Sequence, residues 1–246
     1  HLGPNKGRKY YLVQHDEGGL RRDLPEVEAT YDYNLQHVYV SNWIAERIRA
    51  RHTDASGCVV NNAVEMERFD RGPRHKDPEA VVGVMCSASR FKGVDIAMEA
   101  LRRAKERLPD VRLIGFGAKQ PPEEWAVHFE RFEVQPNADR LAEVYASCRA
   151  WLFPSRFEGF GLPILEAMAA RTPVIGTRTG AGADLITSEN GRLIDVDDVD
   201  AMADAIVELT TLDFTSWQAM SEAAYCTAGS HTWDDATDRL EAVLSG

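Results

Sequence analysis

The chain has 246 residues, enough for one large domain or one and a half, and 44% of them are hydrophobic, enough for a packed core. Lys plus Arg number 28 against 39 Asp plus Glu, a net charge of −11, which argues against nucleic acid as the main partner. The four cysteines (Cys58, Cys86, Cys148, Cys226) lie far apart with no C-x-x-C pair. That spacing suits buried thiols in a reducing, cytoplasmic compartment better than zinc or disulfides. No apolar run approaches the roughly 18–20 residues of a membrane helix, and the first ten residues are polar and basic, unlike a signal peptide.

In chain order, residues 1–9 read as a loop and Tyr10–Gln14 as a short strand, followed by the turn His15-Asp16-Glu17-Gly18-Gly19. A helix is expected over Pro25–Leu35 and a strand over Val38–Val40. Ser41 then caps an amphipathic helix, Asn42–Arg51, with Trp43, Ile44 and Ile48 on one face. A further strand falls at Cys58–Val60, before the turn Asn61-Asn62-Ala63. Residues 71–80 (RGPRHKDPEA) are charged, proline-bearing and aperiodic, as a linker is. After it come the strand Ala80–Ser87, the loop Ser89-Arg90-Phe91-Lys92-Gly93, the helix Val94–Leu108 and the strand Val111–Gly117. A short helix at Pro122–Val127, the strand Phe129–Val134 and the helix Ala138–Cys148 follow.

The stretch Trp151–Ile186 organises the whole. It reads as a buried strand (Ala150–Phe153), a glycine turn (Glu158-Gly159-Phe160-Gly161-Leu162-Pro163), a helix starting near Pro163, and a second buried strand (Pro173–Gly176): a βαβ unit. A glycine turn running into a helix N-terminus presents free N–H groups and the positive end of the helix dipole, where phosphates bind. Glu158 and Glu166 frame that turn, with Glu166 expected in the helix's first turn. Beyond it, Glu189-Asn190-Gly191-Arg192-Leu193-Ile194 reads as a hairpin or strand entry. Asp195-Val196-Asp197-Asp198 reads as acidic capping of the helix that follows rather than a D-x-D metal motif. His231–Leu244 reads as a terminal helix.

Glu158 and Glu166, set inside FPSRFEGFGLPILEAMA and followed by TPVI, resemble the signature of the retaining GT-B glycosyltransferases of family 4. The resemblance extends over most of the chain. VYVSNWIAERIRA is similar to the family's last strand and helix before its interdomain linker. Lys92-Gly93 match a Lys-Gly that the family carries, although its usual arginine position is Ser87 here, with Arg90 nearby to supply the charge. The fold it implies is α/β: a GT-B type, Rossmann-like parallel sheet with helices on both faces, one complete C-terminal domain preceded by the end of an N-terminal domain. The expected divisions are 1–72 for the acceptor-side part, 73–230 for the nucleotide-sugar-binding domain, and 231–246 for a helix crossing back. Strands of the first half of the N-terminal domain are expected to be missing. The chain would then be a fragment, a processed product or a naturally short protein, or a partner chain would supply the rest.

The resemblance implies transfer of a sugar from a nucleotide-diphosphate sugar to a glycan or lipid-linked acceptor, with retention and without a metal or other cofactor. It implies that Lys92 and Arg90 neutralise the diphosphate and that Glu158 and His15 face the donor sugar. Gly159, Phe160, Gly161 and Leu162 would shape the phosphate turn, Glu166 would bind the ribose, and Phe132, Glu133, Val134 and Leu141 would meet the base. UDP-, GDP- and dTDP-sugars all occur with this signature, and the tract KYYLVQHDEGG is similar to polysaccharide-assembly rhamnosyltransferases. Peripheral contact with the inner membrane face is compatible with lipid-linked acceptors. Two other readings stay open: a nucleotide-sugar-binding module without activity, and a GT-B-like nucleotide-sugar epimerase. A nicotinamide dehydrogenase is disfavoured, because no G-x-G-x-x-G opens a helix after an early strand.

Overall fold

Short apolar runs separated by amphipathic stretches fold into two parallel sheets in a computed structural model that describes residues 7–20 and 24–245. The first sheet holds β1 (Tyr10–Val13), β2 (Gln36–Tyr39) and β3 (Gly57–Val59) in the order β1-β2-β3. All its pairs are parallel, with Tyr10 opposite Gln36 and His37 opposite Gly57. Between these strands lie the short helices α1 (Glu17–Leu20) and α2 (Pro25–Glu28), and then α3 (Asn42–Arg49). The helix expected over Pro25–Leu35 is broken: a 3₁₀ turn occupies Ala29–Asp32. Thr30 Oγ1 donates to the Val27 carbonyl at 2.7 Å, a local alternative to continuing the helix. Of the expected N-terminal loop, residues 1–6 lie outside those described.

A short helix, α4 (Met66–Phe69), leads into residues 71–80, which are irregular as expected but held firmly. Arg74 Nη2 donates to the Ala170 carbonyl and Thr172 Oγ1, both at 3.2 Å. Buried Arg149 reaches Asp77 and the carbonyls of Pro78 and Leu209.

The second sheet holds β4 (Val81–Cys86), β5 (Arg112–Gly117), β6 (Phe129–Val134), β7 (Ala150–Phe153), β8 (Val174–Thr177) and β9 (Gly191–Ile194). Its order is β6-β5-β4-β7-β8-β9 and every pair is parallel. Counted from β4, this is the 3-2-1-4-5-6 order of a Rossmann sheet, which reverses direction between its first and fourth strands. The connecting helices are α5 (Val94–Arg107), α6 (Glu123–Ala126), α7 (Ala138–Ala146), α8 (Leu162–Ala169), α9 (Gly182–Leu185), α10 (Val199–Thr211), α11 (Phe214–Gly229) and α12 (Trp233–Ser245). Both sheet faces are covered, so the central strands are apolar throughout. In β7, Trp151 and Phe153 enter the core with Tyr145 and Met168, while Ala150 and Leu152 enter the opposite core with Leu101 and Ile206.

The Asn190-Gly191 turn is the entry to the parallel strand β9, the second of its two expected alternatives, and not a hairpin. Asn190 is buried and spends its side chain on the Leu185 carbonyl, Thr227 Oγ1 and the Thr187 N–H. Glu166 lies one turn into α8 rather than in its first turn. Helix α11 is an element the sequence reading lacked. Asp213 caps it at Ser216 N, and Trp217, Met220, Ala224 and Ala228 form its buried stripe. The buried-thiol expectation holds for Cys86 and Cys148, whereas Cys58 is half-buried and Cys226 is exposed.

The two sheets share one core cluster that runs from Val13, Tyr39 and Ile44 to Trp151, Ile164 and Ala228. The C-terminal end of α12 returns to the first sheet, where the Tyr10 hydroxyl donates to the Val243 carbonyl at 3.0 Å. No helix among the described residues is long and apolar enough to cross a membrane.

Candidate functional site

In an open parallel sheet the strand order reverses where two neighbouring crossovers leave in opposite directions, and a crevice opens at the carboxyl ends of those strands. Here the strands are β4 and β7. The loop after β4 carries Arg90 and Lys92, and the loop after β7 carries Glu158. Across the crevice Lys92 Nζ donates to Glu158 Oε1 at 2.5 Å, and Ser155 Oγ donates to the same oxygen at 2.9 Å. Glu158 is buried, Lys92 half-buried and Arg90 exposed. The structure therefore brings Lys92 and Glu158 together and leaves the Arg90 side chain at the rim, where its carbonyl accepts from Arg156 Nη1 at 2.9 Å.

Both loops are locked by backbone geometry. Gly93 has φ +62°, and a Cβ there would sit 1.9 Å from the Pro154 carbonyl oxygen, so the lysine loop lies directly on the glutamate loop. Arg156 N donates to the Phe91 carbonyl at 2.7 Å. The Arg156 guanidinium grips Asp95 with two 2.8 Å bonds and Asp197 with one of 2.5 Å, and it holds the Asp95 carboxyl below its usual range. Asp195 pairs with Arg178, and Asp198 caps Ala201 N of α10. The acidic run is thus occupied in pairing and capping. The turn after β8 supports the other side: Thr177 Oγ1 donates to the Ser155 carbonyl at 2.5 Å, and Ala181 N donates to the Phe160 carbonyl at 2.7 Å.

Gly161, at φ +97°, ends the Glu158-Gly159-Phe160 turn and caps α8. Leu162 opens the helix with its side chain partly in solvent, and Pro163 at the next position has no N–H to offer. The N–H groups of Gly161 and Leu162 precede the first intrahelical donor and have no acceptor within α8. One turn further on, Glu166 shares the uncovered face of α8 with Leu162. Tyr145 on α7, fully buried, donates its hydroxyl to Glu166 Oε2 at 2.7 Å. Burial raises the Glu166 pKa, and the Tyr145 hydroxyl and the Arg68 charge oppose that rise.

The first sheet reaches the same turn. A Cβ on Gly159 would lie 1.9 Å from the Gln14 carbonyl oxygen, and Ser41 Oγ donates to the Gly159 carbonyl at 2.7 Å. The His15 ring stacks on Phe157 at 5.1 Å, and His15 Nδ1 is buried with no hydrogen-bond partner among the described residues. Phe157 also meets Trp43 edge-on at 4.9 Å and lies 5.0 Å under the Arg47 guanidinium. Arg47 in turn bonds fully buried Asp16 at 3.2 Å. Burial raises the Asp16 pKa, but Arg51, the Gly19 N–H and Arg47 outweigh it and the net pKa is lowered.

Beside the crevice, the loops after β4 and β5 (residues 85–88 and 116–122) enclose a cleft of about 530 Å³. Phe132, Glu133 and Val134 lie on the edge strand β6. Phe132 packs edge-on against Phe129, Glu133 pairs with Arg140 at 2.5 Å, and Val134 is exposed. Leu141 is partly buried and packs on the core cluster that also holds Tyr145. The sequence reading missed Ser155, Tyr145, Phe157 and Arg156, and it gave Ser41 its role as the cap of α3 but not its bond to the Gly159 carbonyl. Ser155 and Arg156 lie inside the motif it quoted, but a neutral hydroxyl and one more arginine carry no pattern of their own.

The family described as Glycosyl transferases group 1 matches residues 79–211, just over half of the chain. The chain is 31% identical over 225 residues to a D-inositol 3-phosphate glycosyltransferase of Corynebacterium diphtheriae, covering 78% of this chain and 52% of that protein. It spans about half the length of the curated relatives it matches. Its fold superposes on the structure of TarM with a TM-score of 0.79 at 16% identity, over 98% of this chain and 51% of that one. It also superposes on HepE of Anabaena, solved with UDP-glucose, with a TM-score of 0.77 at 18% identity, over 97% and 72%. The fold is that of the GT-B glycosyltransferases, and the chain belongs to the group 1 glycosyl transferases.

Proposed function

We propose that this chain carries the donor side of a retaining glycosyltransferase site, which moves a sugar from a nucleotide-diphosphate sugar to a glycan or lipid-linked acceptor at the cytoplasmic side of a membrane. The observation that carries the reading is the Lys92–Glu158 pair, set across the sheet's switch point beside the open N-terminus of α8. A diphosphate at that point meets the N–H groups of Gly161 and Leu162, the helix dipole, Lys92, and Arg90 at the rim. These charges stabilise the diphosphate most as it leaves, which is where stabilisation accelerates transfer, and they do so without a metal. Glu158 exchanges its lysine for hydroxyls of the donor sugar, and half-buried His15 touches the sugar from the first sheet. Glu166 takes the ribose. Gly159 and Phe160 shape the turn, and Phe132, Glu133, Val134 and Leu141 border the base. The UDP-glucose in the HepE structure supports a nucleotide-sugar donor of this kind.

A thermal-shift panel of UDP, GDP, dTDP and ADP tests the reading. A nucleotide at about 100 times its dissociation constant adds roughly 2.7 kcal/mol of stability. One nucleotide should stand out, and Lys92→Ala should abolish its shift while the variant stays folded. Transfer assays with that nucleotide's sugars, with the anomeric configuration of the product read by NMR, then test retention. No shift with any nucleotide would refute the proposal.

A further inference from the structure

Tyr145 is fully buried beside the site, and Glu166 is the only side-chain partner its hydroxyl has among the described residues. The ring itself is enclosed. It packs edge-on against Trp151 at 4.4 Å, Phe116 at 5.7 Å and Phe69 at 6.0 Å. Its backbone is fixed too, because the Tyr145 carbonyl accepts from Thr172 Oγ1 at 2.8 Å. A buried hydroxyl without a partner is costly, so this enclosed ring dictates where the Glu166 carboxylate sits. Glu166 is not fully buried, and it shares the open face of α8 with Leu162. It stands four residues, about 6 Å along the axis, from the helix N-terminus.

We infer that Tyr145 is a positioning residue for ribose recognition: its hydroxyl holds Glu166 Oε2, fixes the plane of the carboxylate, and leaves Oε1 turned outward to accept a ribose hydroxyl. This deepens the donor-site reading and rests on it. An acceptor held in place beforehand rewards the hydroxyl it is aimed at and penalises a ligand that lacks it. The site therefore discriminates nucleotides that carry the sugar hydroxyl facing Glu166 from forms that lack it, a dTDP ligand offering its 3′-hydroxyl, and Tyr145 sets the degree of discrimination without touching the ligand. Burial raises the Glu166 pKa, and the same hydroxyl opposes that rise and so helps keep the acceptor ionised.

The test measures dissociation constants by calorimetry for UDP, GDP, dTDP and ADP, each beside forms that lack the 2′- or 3′-hydroxyl, on wild type, Tyr145→Phe, Glu166→Ala and the double variant. Wild type should prefer one ribonucleotide over a deoxy form. Tyr145→Phe should cut that preference about tenfold and leave affinity for the deoxy form unchanged. With Glu166→Ala present, Tyr145→Phe should change nothing further. An unchanged preference in Tyr145→Phe overturns the inference, as does an equal weakening of ribo and deoxy forms, which marks a merely structural role. A wild type that binds both forms equally overturns it too but leaves the nucleotide site standing, whereas no binding of any nucleotide refutes the site itself and the inference with it. If Tyr145→Phe fails to fold, 3-fluorotyrosine placed at position 145 keeps the ring and strengthens the donor. It should then alter the ribo-to-deoxy ratio, and an unaltered ratio refutes the role.

Discussion

Removing the carboxylate charge of Glu158 should strengthen binding of the bare nucleotide diphosphate while destroying transfer. Lys92 Nζ lies 2.5 Å from Glu158 Oε1, so an incoming diphosphate must draw the lysine away from a partner it already has. Charge centres about 4 Å apart at an effective dielectric of about 20 attract by roughly 4 kcal/mol. Lys92 is partly exposed and Glu158 is desolvated, which reduces the net value of the pair to about 1–2 kcal/mol. Glu158→Gln keeps the side-chain shape and the Ser155 contact but frees Lys92, and it removes one negative charge facing the phosphates. The dissociation constant for the nucleotide selected by the thermal panel should therefore fall about five- to tenfold. Transfer should drop by about 100-fold or more, because the donor sugar loses its carboxylate. Calorimetry at low and high salt measures the first effect, and a product assay measures the second. Binding equal to or weaker than wild type would show that Glu158 does not compete for Lys92, and the reasoning would fail.

Ser41 accepts from Ile44 N at 3.3 Å as the cap of α3 and donates to the Gly159 carbonyl at 2.7 Å, with no solvent access. Ser41→Ala removes a cap and strands a buried carbonyl, so denaturant unfolding should show a loss of about 2–3 kcal/mol; a loss under about 0.5 kcal/mol would refute the double role. The His52 ring bonds Asp32 Oδ1 at 2.6 Å and Glu28 Oε1 at 2.8 Å. Burial lowers its pKa, but the two carboxylates outweigh that and the net pKa is raised above 6.5. A raised folded pKa gives stability that is complete below the unfolded value and lost as pH rises through the folded one. Wild type should therefore lose its advantage over His52→Gln as pH rises from below 6.5 through the raised folded-state value, and a difference that stays constant with pH would refute the assignment.

The central strands of the second sheet could be read from the sequence because they are buried on both faces and its helices are not. Ala150–Phe153 matches its expected limits because Arg149 and Pro154 bound its apolar run, and the edge strand Phe129–Val134 matches its own between His128 and Gln135. Helix α11 escaped because alanine, serine and threonine alternate through it, and its buried stripe of Trp217, Met220 and Ala224 shows only against the face it covers. Glu158 and Glu166 were recognisable from spacing, but their different surroundings were not. Glu158 faces a lysine brought 66 residues along the chain, and Glu166 faces a tyrosine 21 residues before it. A motif specifies what its own backbone does, and the partners that set a carboxylate's charge and aim come from other crossovers.

The same limit explains why the first 70 residues matter to a crevice built at the switch point of the other sheet. The turn that ends in Gly161 is too short to support itself, and β8 braces only its inner side, through Thr177 and Ala181. Its outer side rests on the first sheet. Gly159 lies so close to Gln14 that no side chain fits between them, Ser41 holds its carbonyl, and Phe157 is enclosed by His15, Trp43 and Arg47. Arg47 is itself fixed by Asp16, one residue beyond His15. The strand exit that carries His15 and the turn that carries Glu158 are therefore one packed unit. A shift of the first sheet moves the glutamate as well as the histidine, so the geometry of the crevice depends on both halves of the chain together.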